Sequence, residues 1–253
     1  MNYIGLWTLF YKEVLRFWKV LLQTVAAPIL TSLLYLMVFA QALSAHVQVY
    51  PGVGYTAFLI PGLAMMAILQ NAFANGSSSL IQSKITGNIA FILLAPISHL
   101  EFFLAYLLAA VVRGVLVGLG VLLVGIWATD MGVAHPFWVL AWALIASVAF
   151  AAMGIIAGLW ADKFDHLSGI QNFVILPLTF LSGVFYSIHS LSPFWQVVSQ
   201  INPVFYMIDG FRYGFFGQGD VNPWWGLAVA LPFTAALCFI TMQMIVRGYK
   251  LRN

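Results

Sequence analysis

Charge is what this sequence has least of. Only 7% of its 253 residues are charged, ten Lys or Arg against seven Asp or Glu, while 63% are apolar. An ordinary soluble domain carries about 25% charged and roughly 45–50% apolar residues. A soluble body of this size has too little interior for so much apolar surface, so lipid must be its solvent over much of its area. Cysteine is nearly absent as well. Cys238 stands alone inside an apolar run, which excludes an internal disulfide framework. The apolar runs lack paired acids and lack a nucleophile beside a base, so catalysis by this chain is not expected. Its basic residues are scattered between those runs, which argues against nucleic acid as a partner.

A phosphate-binding loop is missing too. ATP hydrolysis needs G-x-x-x-x-G-K-[ST], and the nearest stretch, "GSSSLIQSK" at 76–84, lacks the second glycine and the Gly-Lys pair. Five letters point the other way: Leu167-Ser168-Gly169-Ile170-Gln171 is one residue from LSGGQ, a signature of certain transport ATPases. No polar stretch is long enough to hold a nucleotide-binding domain, so the match is coincidence.

What the sequence does have is long apolar runs. Six, near 21–42, 55–75, 101–127, 137–161, 169–188 and 223–246, reach the ~20 helical residues that a ~30 Å hydrocarbon core requires. They are continuous rather than alternating, which predicts helices that satisfy their own backbone. The first exceeds the apolar region of a secretory signal, about 7–15 residues, and is read as a retained helix. Lys12, Arg16, Lys19, Lys84, Lys163, Arg247, Lys250 and Arg252 flank one side of these runs and Arg212 alone the other. That bias predicts both termini in the cytoplasm and the 43–54, 128–136 and 189–222 connections outside. Residues 3–19 place Lys12, Arg16 and Lys19 at helical spacing, with Trp7 and Trp18 on another face, as in a helix lying in the interface with its cations toward headgroups. Residues 189–222 are apolar but broken by Pro193, Pro203, Gly210 and Gly214, which predicts two short helices re-entering the outer leaflet. The expected fold is an all-α polytopic membrane protein with an N-terminal interfacial amphipathic helix, six transmembrane helices and a re-entrant helical segment between spans five and six.

Few residues stand out as sites. Arg113 lies mid-span, where an arginine costs about 2.5–3.5 kcal/mol on insertion scales, so it should face protein or water. A place in a translocation path or at a subunit seam and a structural bond to backbone carbonyls fit it equally. Gly114, Gly118 and Gly125, with Gly154-xxx-Gly158, offer flat faces for close helix packing. Asp209 and Arg212, three apart, are placed to pair on adjacent helical turns. His46, His135 and His189 have no ligand spacing, and no metal is expected.

Two stretches carry a family resemblance. In 176–217 these are Leu181-Ser182-Gly183-Val184-Phe185-Tyr186, Pro193-Phe194-Trp195, Asn202-Pro203 and Asp209-Gly210-Phe211-Arg212-Tyr213-Gly214; the other is "SKITGNIAFILLAPIS" at 83–98. With the spacing of the runs, they make the chain resemble the ABC type-2 transporter permeases over essentially its whole length. The resemblance implies an exporter for an amphipathic, lipid-like or glycoconjugate substrate in a bacterial inner membrane. It implies a second permease subunit, spans one and five meeting across the seam, and two cytoplasmic ATPase subunits that bind the ATP and Mg. Coupling to the ATPases would run through the interfacial helix and the 76–98 segment, at Lys12, Arg16, Lys84, Gly87, Asn88 and Pro96. Phe185, Tyr186, Phe194, Trp195, Pro203, Phe205, Tyr206, Asp209 and Arg212 would belong to an outer gate. Relatives often carry acidic residues where this chain has Ala90 and Phe91.

Two other functions stay open on sequence alone. An ATP-independent carrier or channel predicts internal repeats, and 1–128 bears no convincing similarity to 129–253. A membrane scaffold subunit would use the spans only as anchors.

Overall fold

The computed structural model describes residues 2–43, 49–129 and 131–251. His46 and Arg252 lie outside them. Eleven α-helices are described: α1 (Tyr3–Trp18), α2 (Ala27–Leu43), α3 (Tyr55–Ile85), α4 (Asn88–Leu94), α5 (His99–Ala128), α6 (Pro136–Trp160), α7 (Phe164–Ile170), α8 (Leu176–Phe180), α9 (Pro193–Ile201), α10 (Pro203–Phe216) and α11 (Pro223–Val246). Among the described residues, five helical stretches are long and apolar enough to cross a membrane: Leu22–Gln41, Tyr55–Ile85, His99–Trp127, Pro136–Trp160 and Pro223–Val246.

The run at 169–188 is not one helix. It divides into α7, a π-wound turn at Gln171–Ile175, and α8, then leaves helical geometry at Leu181. A matching π turn at Leu22–Ala26 precedes α2. Both have the same cause in sequence. Pro28 and Pro177 follow the two π turns, and each proline lacks an N–H while its ring crowds the carbonyl four residues back, at Thr24 and Phe173. Widening the turn relieves that clash.

α3 is the axis of the bundle. The apolar run of span two ends near 75, yet the helix continues through "GSSSLIQSK" to Ile85. At 31 residues it is about 46 Å long, well beyond the hydrocarbon thickness. Tertiary partners override the polar composition. Ser77 returns its hydroxyl to the Phe73 carbonyl at 2.9 Å, Ser79 bonds Glu13, and Asn75 accepts from Arg16. Close packing does the rest, since helices in lipid associate through small residues that admit backbones to contact. A Cβ on Gly76 would sit 2.8 Å from the Ala151 carbonyl oxygen, and one on Gly158 would sit 2.8 Å from that of Ser77. Gly154 faces the Phe73 carbonyl more tightly still, so the Gly154-xxx-Gly158 face forms as expected, against α3.

α1 lies along α5 and reaches α3 through its side chains, with Leu9, Glu13 and Phe17 buried and Trp7 and Trp18 exposed. The interfacial aromatics are where the sequence puts them, but the cations are not all turned outward. Arg16 points into the protein: its Nη2 donates to Asn75 Oδ1 at 2.9 Å and its Nε to Glu13 at 3.3 Å. Glu13, fully buried, also takes Lys12 at 2.8 Å. A buried carboxylate drew its counter-charges inward, and no periodicity argument weighed it. Replacing Glu13 by Gln should strip Arg16 of its counter-charge and destabilise the fold by about 3 kcal/mol, the low end for a broken buried pair because Lys12 keeps access to water. A thermal melt of purified protein checks this; an unchanged midpoint refutes it.

The N-terminus is strapped to the α4–α5 corner. Asn2 N donates to Glu101, Asn2 Nδ2 donates to the Pro96 carbonyl at 3.2 Å, and Glu101 with Ser98 forms the capping box of α5. At the same end of the bundle, Lys250 Nζ donates to Asp162 Oδ2 at 2.7 Å and to the Trp160 carbonyl at 2.9 Å. The Lys250 ammonium holds the Asp162 carboxyl below the usual carboxylate range.

Candidate functional site

A cleft of about 450 Å³ opens between α2, α3 and the π turn after α7. α2 and its π turn supply Gln23, Thr31, Ser32 and Tyr35; α3 supplies Met66, Gln70 and Asn71; Gln171 closes the third side. Gln23 and Gln171 come from the π turns, so the two prolines set the backbone that presents them. A recess of about 280 Å³, with Ser78, Ser168 and Asn172 in its lining, adjoins the cleft and shares Ala74 and Gln171 with it. Together they make a track of amides and hydroxyls from the middle of α3 toward the end that carries α4. Polar groups at membrane depth are tolerated where they line a cavity or face protein, and they mark paths.

Aromatic rings cluster at the other end of the track, around Tyr35. Phe185 stands 4.7 Å from Phe39, 5.4 Å from Phe180 and 5.9 Å from Tyr35, centroid to centroid, and Tyr35 is itself in the cleft wall. Of the residues that resemblance places in an outer gate, Phe185 alone joins this cluster. Phe194 and Trp195 meet edge to face at the exposed surface of α9, Phe205 and Tyr206 meet likewise on α10, and Tyr186 donates to the Phe180 carbonyl at 3.4 Å. Tyr35, Phe39 and Phe180 were missed because nothing in their local sequence separates a ring-lined path from a core-facing aromatic.

The backbone after Phe180 is clamped from several sides. Gly183, at φ +77°, turns the chain where a side chain would strain it. Arg212 Nη2 donates to the Gly183 carbonyl at 2.9 Å, its guanidinium lies 3.7 Å over the Phe58 ring, and Tyr55 donates to the Phe185 carbonyl at 2.9 Å. Asp209 and Arg212 do not pair, contrary to their i, i+3 spacing. Asp209 instead accepts the backbone N–H groups of Asp220 at 2.8 Å and Val221 at 3.0 Å. Asp220 takes the Ser187 hydroxyl at 2.6 Å, Ile188 N at 2.8 Å and the Tyr50 hydroxyl at 3.1 Å. Each charge has better partners across the fold than along its helix. Pro203 opens α10, and the preceding Asn202 donates to the Leu178 carbonyl at 2.8 Å. His135 stacks on Tyr213, and His189 sits in a single turn of 3₁₀ helix.

At the opposite end, the residues singled out for coupling separate into two sets. Lys84 is on the last turn of α3 rather than on a loop helix, and its Nζ donates to the Leu159 and Ala161 carbonyls at 2.9 and 2.6 Å. It caps the end of α6 and is little exposed, because its ammonium is drawn onto those carbonyls. Gly87, at φ +74°, turns the chain into α4; Asn88 begins that helix, and Pro96 follows it. α4 presents Phe91 and Leu94 almost bare.

The sequence comparisons fit this architecture. The profile of the ABC-2 type transporter family matches residues 5–216. The chain belongs to the ABC-2 type transporter family. It is 36% identical to the inner membrane transport permease YadH of Escherichia coli (strain K12), with 100% of this chain and 99% of the relative aligned. It is 26% identical to nodulation protein J of Rhizobium meliloti (strain 1021), over 100% of this chain and 93% of that one.

Arg113 sits behind the cleft wall of this ABC-2 family chain. Its Nη2 donates to Asn71 Oδ1 at 3.3 Å, and Asn71 passes its own N–H to the Ala67 carbonyl at 3.0 Å. It is therefore bonded to a cleft-lining side chain, not to backbone carbonyls.

Proposed function

We propose that this chain is the membrane subunit of an ATP-driven exporter in a bacterial inner membrane. It moves an amphipathic substrate, a lipid-like molecule, glycoconjugate or drug, from the cytoplasm or inner leaflet outward. The observation that carries this is the polar track, lined from both π turns, with Phe185, Tyr35, Phe39 and Phe180 clustered at one end. In this reading α7 and α8 with their π turn make the sixth crossing, α9 and α10 re-enter from outside, and both termini are cytoplasmic. The bare apolar flank formed by Leu30, Leu34, Met37 and Phe173 receives a second permease subunit, which completes the cleft. ATP and Mg belong to two separate ATPase subunits docked at the α4 end.

α4 is the docking piece. Phe91 and Leu94 are free to enter a groove, as an amphipathic helix does when it lays an apolar face on a partner. Apolar contact carries this docking, since Ala90 and Phe91 stand where charge would be. The Asn2 bonds to Pro96 and Glu101 pass displacement of α4 on to α1 and α5.

Native purification tests the whole reading. An ATPase should co-purify at one-to-one stoichiometry, and vesicles should accumulate substrate only when that ATPase can hydrolyse. Recovery of an active transporter that works without ATP would sink it. The joint change Phe91→Asp and Leu94→Asp should lower ATPase recovery more than ten-fold while leaving the membrane yield unaltered. Undiminished recovery would show that docking lies elsewhere.

A further inference from the structure

The chemistry of the cleft wall narrows what it accepts. Gln70 Nε2 and Arg113 Nε are buried without a hydrogen-bond partner among the described residues. Gln70 lines the cleft, and Arg113 reaches it through Asn71, the next residue along α3. Both unpartnered atoms are N–H donors, so what is missing on this wall is an acceptor.

The balance of charge points the same way. No carboxylate among the described residues lies within ion-pair distance of Arg113, and neither the cleft nor its recess has Asp or Glu in its lining. Glu13 is the buried acid of the neighbouring cluster, and it is already held by Lys12, Arg16 and Ser79. Arg113 is thus a half-buried cation whose one bond among the described residues goes to a neutral amide. An intramembrane charge of that kind ordinarily has a counter-ion, and its field in a low-dielectric wall draws anions and repels cations. Gln23 and Gln171 add amide groups that make no side-chain hydrogen bond to the described residues, across the cleft from Gln70.

We infer that the cleft binds the anionic head of an amphiphilic cargo, a phosphate or carboxylate, with Arg113 as counter-charge and Gln70, Gln23 and Gln171 as donors. A volume of about 450 Å³ admits such a headgroup with the first part of its chain against Leu63 and Met66. The inference rests on the reading of the cleft as the export path, and it adds the substrate's charge. Arg113 acts partly through Asn71 and is a positioning residue as much as a contact.

The test is equilibrium binding to the full-length chain in nanodiscs of zwitterionic lipid. The probes are labelled dodecyl phosphate, dodecyl glucoside and dodecyltrimethylammonium, which share a chain and differ in head charge. Dodecyl phosphate should bind at least ten-fold tighter than the glucoside, and the ammonium should not compete. Arg113→Gln should erase that preference, and Arg113→Lys should retain most of it, because the charge is what matters. Gln171→Leu, at the edge of the cleft, should weaken the phosphate probe several-fold and covers the case in which Arg113 variants fail to fold. Equal binding of phosphate and glucoside by the wild type would overturn the proposal, as would a preference that survives Arg113→Gln. A transport arm separates cargo from resident lipid. Dodecyl phosphate that binds but is never moved by an ATP-hydrolysing complex would refute the cargo assignment. If ATP moves no probe at all while the anion preference at Arg113 stands, the exporter reading fails and the binding site does not.

Discussion

Gly154→Val is expected to be the most damaging single change in the bundle. A Cβ at Gly154 would meet the carbonyl oxygen, carbonyl carbon and Cα of Phe73, all of them backbone of α3. A side chain can rotate away from an intruding methyl, but a helix backbone can only move as a body. Forcing extra carbons into a packed interior costs about 1–3 kcal/mol when side chains can yield. Here α3 and α6 must part, and Gly76 against Ala151 and Gly158 against Ser77 would loosen with them. We expect a loss above ~3 kcal/mol, seen as collapse of the membrane yield and of the melting midpoint of whatever remains. Gly169→Ala is the control. Nothing lies within 4 Å of its Cβ, in a helix where alanine is favoured by about 1 kcal/mol, so it should be neutral or slightly stabilising. Equal behaviour of the two variants would show that close approach at Gly154 is not what holds α3 to α6.

The same contrast explains how much of the architecture could be read from sequence. Helix positions follow from apolar run length, which is a local property, and the long helices α5, α6 and α11 start and stop close to their runs. The end of α3 was not legible, because Asn75, Ser77 and Ser79 are polar locally and are satisfied by Arg16, by the helix itself and by Glu13. The interruption of span five was hidden for the opposite reason: "GIQNFVILPLTF" is mostly apolar, its Gln171 and Asn172 are too few to break a span, and only Pro177 signals the π turn. The pentapeptide that imitates an ATPase signature lies there. Leu167 is buried, Gly169 is open, and Gln171 turns into the cleft. Its letters mislead, while its place beside a proline-driven π turn is what matters. The cleft draws on three elements far apart in sequence, so Gln23, Gln70 and Gln171 give no common signal. Arg113 was legible as an anomaly, since a lone mid-span arginine must answer to something. That it answers to Asn71 required the fold.

Arg212 carries the second large effect, and it acts on the seal rather than on the bundle. The side chain is buried, and its guanidinium binds the Gly183 carbonyl while stacking over Phe58. Arg212→Met keeps much of the volume and removes both interactions. Hydrogen bonds to charged groups contribute about 1.5–3 kcal/mol, and a desolvated cation–π contact about 2. Some of this is offset because methionine spares the desolvation of a charge. A net loss of about 2–4 kcal/mol follows. Lysine should not rescue it fully: an ammonium can reach one carbonyl but cannot lie flat over a ring. The damage is directional. The Gly183–Val184 backbone would lose its clamp from α10, and Phe185, the next residue, would lose its fixed distance from Phe39 and Tyr35. Empty vesicles carrying Arg212→Met should therefore leak a small polar solute without ATP, and wild-type vesicles should not. Asp209→Asn, which alters the neighbouring clamp on 220–221, should leak less, since Asp220 still holds Ser187 and Ile188. If Arg212→Met melts lower but stays tight, the arginine is structural and the seal is set by the aromatic rings alone. If it melts lower and leaks, the turn that α10 holds is the part of the fold that an outward opening must release.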